Sequence, residues 1–298
     1  MHDRRLAIES VIRLGPGQFV LGFDCPPIAA ACRPGQFVMI SVADAIDPLL
    51  RRPMAICRLL RDQAGKPHGF TIVIEVVGRG TALLEQKRPG DQLDVLGPLG
   101  VPFEIPEEGS DDGPEGASEA GSDRGAQVAE QLLVMGGVGA APFPFLAEEM
   151  LARGLPVRAF VGARTAEALL CADDLRGLGV PVEVATDDGS AGYHGFVVGP
   201  LEEYLEGHDQ PAALYTCGPT PMMRAVHEIA MARGLPLQVS FEAPMACGIG
   251  VCLSCVLPLY DEVAEPAGAG EAATSGGWRY VRCCREGPVF DSRRLVWA

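Results

Sequence analysis

The chain has 298 residues, a formal net charge of −15, 48% hydrophobic residues and 6% aromatic residues. That length allows two or three domains with sizeable cores. The acidic balance argues against binding to phosphate backbones, and the few aromatics argue against stacking platforms for single-stranded nucleic acid.

The start, MHDRRLAIES, carries no apolar h-region, and no run of about 18 apolar residues occurs, so neither a secretory signal nor a membrane span is expected. Ten cysteines without a signal point to a reducing, cytoplasmic setting. There, clustered thiols bind metal or do redox work more often than they form staples.

Residues 1–104 read as β-rich: QFVLGF, GQFVMISVA, GFTIVIEVV and QLDVLGPLG are short apolar runs between Gly, Pro and Asp. Such spacing predicts an antiparallel barrel or sandwich. Residues 105–130 are Gly, Ser, Glu, Asp and Ala with almost no large apolar side chain, a composition that predicts a flexible acidic insertion or linker. From 131 the period changes. QLLVMGG, LPVRAFVGA, VPVEVATDD and ALYTCGP read as strands, and PFPFLAEEMLARG and PTPMMRAVHEIAMARG as helices. This alternation predicts a parallel sheet with helical crossovers over 131–232. Residues 233–298 are a cysteine-rich tail with a second flexible insertion over 260–277.

Three stretches suit phosphate or ribose chemistry. Gly136, Gly137 and Gly139 follow the first parallel strand, and Cys217, Gly218 and Pro219 follow a later one. Missing Cβ atoms let a ligand approach the backbone, and helix starts offer free N–H groups. Pro142 stands where the third glycine of a dinucleotide fingerprint belongs, so the first turn alone is equally a tight βα turn. Asp187 and Asp188 follow a third strand and suit ribose hydroxyls, a lean toward NADH, while Arg164 leans toward an extra phosphate or stacks on adenine. In the β-rich part, Arg52 beside Pro53 is a fixed cation on a stiff backbone, suited to a pyrophosphate, although alone it reads equally as a surface arginine pair before an edge strand. Gly78, Gly80 and Thr81 end a strand and open a helix, where Thr81 can cap and a phosphate can sit.

ACGIGVCLSCV puts Cys247, Cys252 and Cys255 in a C-x4-C-x2-C array. That is the plant-type [2Fe-2S] spacing, which needs a distant fourth cysteine. Cys283 and Cys284 are the candidates. A structural zinc site ordinarily uses paired C-x2-C units, and a redox dithiol opens a βα unit, so both fit less well. Cys25, Cys32, Cys57 and Cys171 read as small buried hydrophobes, and His227 as packed or solvated.

The motif order RRP–AI, GRGT, GPLG, GGVGAAP, CGPTPM resembles the ferredoxin–NADP⁺ reductase superfamily. FEAPMACGIGVCLSCV and CCREGPVF resemble, more narrowly, the electron-transfer subunits of class 1B dihydroorotate dehydrogenases. The resemblance implies an α+β multidomain fold. Residues 1–104 would form an antiparallel Greek-key β-barrel for FAD, 131–232 an α/β nicotinamide domain, and 233–298 a small [2Fe-2S] domain.

It also implies FAD contacts at Arg52, Pro53, Met54 and Ala55, at Val73, Ile74 and Glu75, and at Gly80 and Thr81, with Ala55 replacing the usual Ser. NAD(H) contacts would fall at Gly137, Gly139 and Pro142 and at Cys217, Gly218 and Pro219. The family ending places the fourth cluster ligand at Cys284, beside Cys247, Cys252 and Cys255. The implied partner is an FMN-bearing catalytic subunit interconverting dihydroorotate and orotate in pyrimidine synthesis, joined in a heterotetramer. Alternatives are the related subunit of a ferredoxin:NADP⁺ oxidoreductase or hydrogenase, and a zinc-stabilised binding module.

Overall fold

The computed structural model describes residues 1–43, 47–106, 129–208, 213–261 and 277–297. The expected insertions therefore lie almost wholly outside the described residues.

The amino-terminal part contains β1 (His2–Gly15), β2 (Gln18–Asp24), α1 (Pro26–Ala31), β3 (Phe37–Ile40), β4 (Arg52–Ala55), β5 (Arg58–Arg61), β6 (Pro67–Glu75), α2 (Arg79–Glu85) and β7 (Gln92–Leu99). Its strands form one antiparallel, barrel-like sheet in the order β4-β3-β7-β1-β2-β6-β5. β7 returns over a long connection to lie between β1 and β3, a Greek-key move.

Alternation builds the core: Phe19, Leu21 and Phe23 of β2 are fully buried, each worth about 1.5–3 kcal/mol of transfer free energy. β1 is not marked by an apolar run although it is central, because Arg4, Arg5 and Glu9 are exposed and Ile8 is its one fully buried residue.

The second unit contains β8 (Gln131–Gly136), α3 (Phe143–Ala152), β9 (Val157–Ala163), α4 (Ala172–Gly177), β10 (Val182–Thr186), β11 (Tyr193–His194), α5 (Val198–Gly207), β12 (Ala213–Cys217), α6 (Thr220–Ala232) and β13 (Leu237–Ser240). The tail adds β14 (Val256–Tyr260), β15 (Trp278–Arg282), α7 (Cys283–Glu286) and β16 (Val289–Asp291). The sheet order is β11-β10-β9-β8-β12-β13-β16, parallel except for β16, which pairs antiparallel with β13. The parallel sheet therefore runs past residue 232, and the tail supplies its last strand.

β8 is buried along its whole length, as a strand covered on both faces must be. From β8 the chain crosses to β9 on one side, and from the adjacent β12 to β13 on the other. Such a reversal opens a crevice outside the carboxyl ends of the two strands.

One hydrophobic cluster joins Leu133 and Met135 of β8 and α3 to Cys57, Val73 and Phe103 of the amino-terminal part. A second joins Val134, Leu214 and Val239 of the sheet to Cys255, Leu257, Cys283 and Cys284 of the tail. The cysteine-rich tail is thus rooted in the same core as the sheet. Among the described residues no helix is long and apolar enough to cross a membrane.

Candidate functional site

β4 carries Arg52, Pro53, Met54 and Ala55, all half-buried, and pairs with β3 alone among the described residues. It lies beside β6 without pairing to it. β6 pairs with β5 only from Pro67 to Thr71, so the outer backbone edge of Val73, Ile74 and Glu75 has no strand partner among the described residues. The Val73 and Ile74 side chains are buried in two different clusters, which leaves their backbone as what a ligand can reach.

Arg52 Nη1 donates to the Leu50 carbonyl at 2.6 Å, and its guanidinium lies on the first turn of α2. A Cβ on Gly80 would stand 2.6 Å from Arg52 Nε, so glycine is required for this approach. A Cβ on Gly78 would meet nothing, which leaves open space beside the cation. Thr81 caps α2 from inside the helix: its Oγ1 accepts from the Val77 and Gly78 N–H groups at 3.0 and 3.2 Å. Gly78 has no side chain to reciprocate, so only half of a capping box exists.

At the carboxyl ends of β8 and β12 the two glycine turns press together. A Cβ on Gly139 would lie 2.6 Å from the Cys217 carbonyl oxygen and from Gly218 N and Cα. Gly218 itself, at φ +151°, stands against the Gly136 backbone. Gly137 adopts φ +55° and faces open space. Pro142 and Pro219 are the N-cap residues of α3 and α6.

Beyond them the ends of β9 and β10 are joined by Asp187 N to Ala163 O and Asp188 N to Arg164 O. The Asp188 carboxylate accepts from the Ser190 hydroxyl at 2.6 Å and the Ser190 N–H at 3.0 Å. These bonds hold it below the usual carboxylate range.

Glu242, which lies in the FEAPMACGIGVCLSCV stretch but is not among the expected site residues, completes this crevice. It follows β13 by two residues, and its Oε1 is 4.0 Å from Cys217 Sγ. Glu75, at the end of β6, acts on it from the barrel side. The barrel strand and the glycine turns therefore face one recess.

The cysteine loop turns on Gly248 (φ +72°), Gly250 (φ +83°) and Leu253 (φ +61°). Cys247 Sγ accepts from the backbone N–H groups of Ile249, Val251 and Cys252 at 3.4–3.5 Å. Desolvation works to raise this thiol, but the three donors outweigh it and hold it below its ordinary value. Cys252, exposed, is lowered to about 6, first by the Ser254 hydroxyl 3.2 Å away.

Cys255 Sγ accepts from Cys284 N at 3.5 Å. Burial, then the Cys255 thiol, pushes Cys284 up to about 12. The neighbouring Cys283 turns elsewhere: its Sγ donates to the Phe241 carbonyl at 3.3 Å. The thiols thus associate as Cys247 with Cys252 and Cys255 with Cys284. Among the described residues no three His, Cys, Asp or Glu side chains converge tightly enough to hold a single metal ion.

The remaining cysteines, Cys25, Cys32, Cys57 and Cys171, are buried as expected. His227 is half-buried, bonded to Ser292 and stacked on Trp297.

Residues 133–228 match the oxidoreductase NAD-binding domain family. The chain is 34% identical over 291 residues to the dihydroorotate dehydrogenase B (NAD(+)), electron transfer subunit of Desulforamulus reducens, covering 97% of each. It is 37% identical over 295 residues to the protein of the same name from Geobacillus thermodenitrificans, covering 98% of each. Among solved structures, the NADH-dependent reduced ferredoxin-NADP oxidoreductase superposes with a TM-score of 0.72 at 26% identity, covering 98% of this chain and 90% of that one. A ferredoxin NADP+ reductase from Neisseria gonorrhoeae shares the fold at a TM-score of 0.61 and 15% identity, over 81% of this chain and all of that one. With near-complete coverage on both sides at these identities, the chain belongs to the family of dihydroorotate dehydrogenase B (NAD(+)) electron transfer subunits.

Proposed function

We propose that this chain is a reductase module that exchanges electrons between NAD(H) and the FMN-bearing catalytic subunit of a dihydroorotate dehydrogenase. The carrying observation is that the thiol loop and the glycine crevice are parts of one packed body, since Cys255, Cys283 and Cys284 share a hydrophobic cluster with β8 and β12.

In this reading, residues 1–104 hold FAD, 131–232 hold NAD(H), and 233–298 hold a [2Fe-2S] cluster. Arg52 supplies the cation for a pyrophosphate, and Gly80 lets it lie on α2. The unpaired edges of β4 and of Val73, Ile74 and Glu75 offer backbone hydrogen bonds to a flat ring. Ala55 offers no hydroxyl there, so that contact is backbone alone. The turns at Gly137–Pro142 and Cys217–Pro219 frame the nicotinamide nucleotide, and Asp187 and Asp188 favour a free ribose hydroxyl over an added phosphate by charge.

The thiols fit a binuclear cluster better than a single ion, because two irons need two pairs of sulfurs rather than one point of convergence. Cys247, Cys252, Cys255 and Cys284 provide those pairs, and the three N–H donors around Cys247 stabilise its thiolate. Once bound, FAD supplies the conversion of a hydride into single electrons, and the cluster carries them onward. The protein's part is to orient the nicotinamide over the crevice, exclude water by packing barrel against sheet, and place the thiol loop beside them.

The partner is a separate FMN subunit in a heterotetramer. Anaerobic purification tests the reading: FAD, two irons and two sulfides per chain are expected, bleached by NADH. Co-purification with the catalytic subunit should then give dihydroorotate-dependent reduction of NAD⁺. A colourless preparation containing zinc alone would sink it.

A further inference from the structure

Glu242 stands where the glycine crevice meets the barrel. Its carboxylate approaches Cys217 Sγ at 4.0 Å from the end of β13. The Glu75 charge acts on it from β6, its own charge acts on the Cys283 thiol of α7, and Ser240 shares its contact with Cys217. No cation among the described residues acts on its carboxyl.

Glu242 is exposed to solvent, yet the protein packed around its carboxyl and then the Glu75 charge hold that carboxyl above the ordinary range. Burial keeps the Cys217 thiol neutral. The recess therefore holds acidic groups and no counter-charge of its own. The two redox forms of a nicotinamide nucleotide differ there in one respect that such a recess can read. The oxidised ring is a cation, and the reduced ring is neutral.

We propose that Glu242 is a specificity-determining residue that discriminates between oxidised and reduced nicotinamide by charge, with its carboxylate, near Cys217, serving as counter-ion to the oxidised ring. This rests on the reading that the nicotinamide lies at Cys217. Ionised Glu242 retains NAD⁺ and slows its release, whereas protonated Glu242 treats both forms alike. As pH rises the carboxyl ionises, so NAD⁺ tightens relative to a neutral-ring nucleotide.

The test uses the FAD-loaded full chain and equilibrium titration calorimetry over about pH 5 to 9. The ligands are NAD⁺ and 1,4,5,6-tetrahydro-NAD, whose ring is neutral and has no hydride to give. The ratio Kd(tetrahydro-NAD)/Kd(NAD⁺) is expected to rise about tenfold with pH, equivalent to about 1.4 kcal/mol. Glu242→Gln should flatten it, and Glu242→Asp, which keeps a titrating carboxyl, should preserve the rise. A flat ratio in the unmodified chain, or an unchanged rise in Glu242→Gln, overturns the proposal. If neither nucleotide binds the unmodified chain, the nicotinamide reading fails and takes this proposal with it.

Discussion

Gly139→Ala tests whether the two glycine turns form a single piece of architecture. The added Cβ would sit 2.6 Å from three atoms, Cys217 O, Gly218 N and Gly218 Cα. Ordinary carbon contacts lie at about 3.5–4.0 Å, so the turns must part by about 1 Å. All three atoms are backbone, and no rotamer change relieves them. Overpacking of this kind costs about 1–3 kcal/mol, and backbone obstruction places Gly139→Ala at the upper end.

Two controls isolate the cause. Gly137→Ala meets nothing within 4 Å but imposes φ +55° on alanine, a cost of about 1–2 kcal/mol. Gly177→Ala, exposed in α4 with open space, should stabilise by about 0.5–1 kcal/mol. Thermal unfolding of the FAD-loaded chain, read alongside NAD⁺ affinity, ranks the three variants. For Gly139→Ala a fall in Tm of about 4–10 °C is expected. NAD⁺ binding should weaken at least about tenfold, since a displacement of about 1 Å disorders a positioned ligand. If Gly139→Ala kept both its Tm and its NAD⁺ affinity, the packing argument and the nucleotide crevice built on it would be refuted.

With the proposed [2Fe-2S] cluster bound, Cys284→Ser should lose iron and acid-labile sulfide while Cys283→Ser should keep both, because the Cys283 thiol bonds to Phe241 rather than to Cys255; the reverse result reassigns the ligand. Arg58 ties β5 to Glu148 of α3 at 2.6 Å and to Asp174 of α4 at 3.3 Å. Arg58→Ala should therefore cost about 1 kcal/mol at low salt and less at high salt, since all three groups are partly exposed; denaturant unfolding at two ionic strengths checks it. Replacing Asp187 and Asp188 together by Asn should narrow the NADH-over-NADPH preference by about tenfold in steady-state assays, through loss of charge at the β10 end. Burial lowers the His227 pKa, so the unfolded chain binds its proton more tightly. Stability is then present above the ordinary imidazole value and is lost as pH falls through it toward the folded value; His227→Gln should flatten that slope in unfolding measurements.

Much of the architecture was legible because it is local. QFVLGF and GFTIVIEVV alternate or run apolar as strands must, and Gly139 and Gly218 follow strands where turns are needed. β1 was hidden because, with Ile8 alone fully buried, its residues show charges rather than an apolar run. The boundary expected at residue 232 fell before β13 and β16 because the strands that complete the sheet come from the cysteine-rich tail.

By itself, the sequence determined the class of chemistry. The C-x4-C-x2-C spacing, the glycine turns after strands and the Arg-Pro pair each express a requirement met within a few residues. Only the tertiary structure decided which of those pieces meet. Gly139 lies against Cys217, Arg52 lies over Gly80, and Glu242 approaches Cys217 while the Glu75 charge acts on it. Cys283 and Cys284, adjacent in the chain, turn to different partners. These are contacts between residues far apart in sequence. They are set by strand order and by the side on which each crossover returns, and a glutamate two residues past a strand bears no local mark of what it will face.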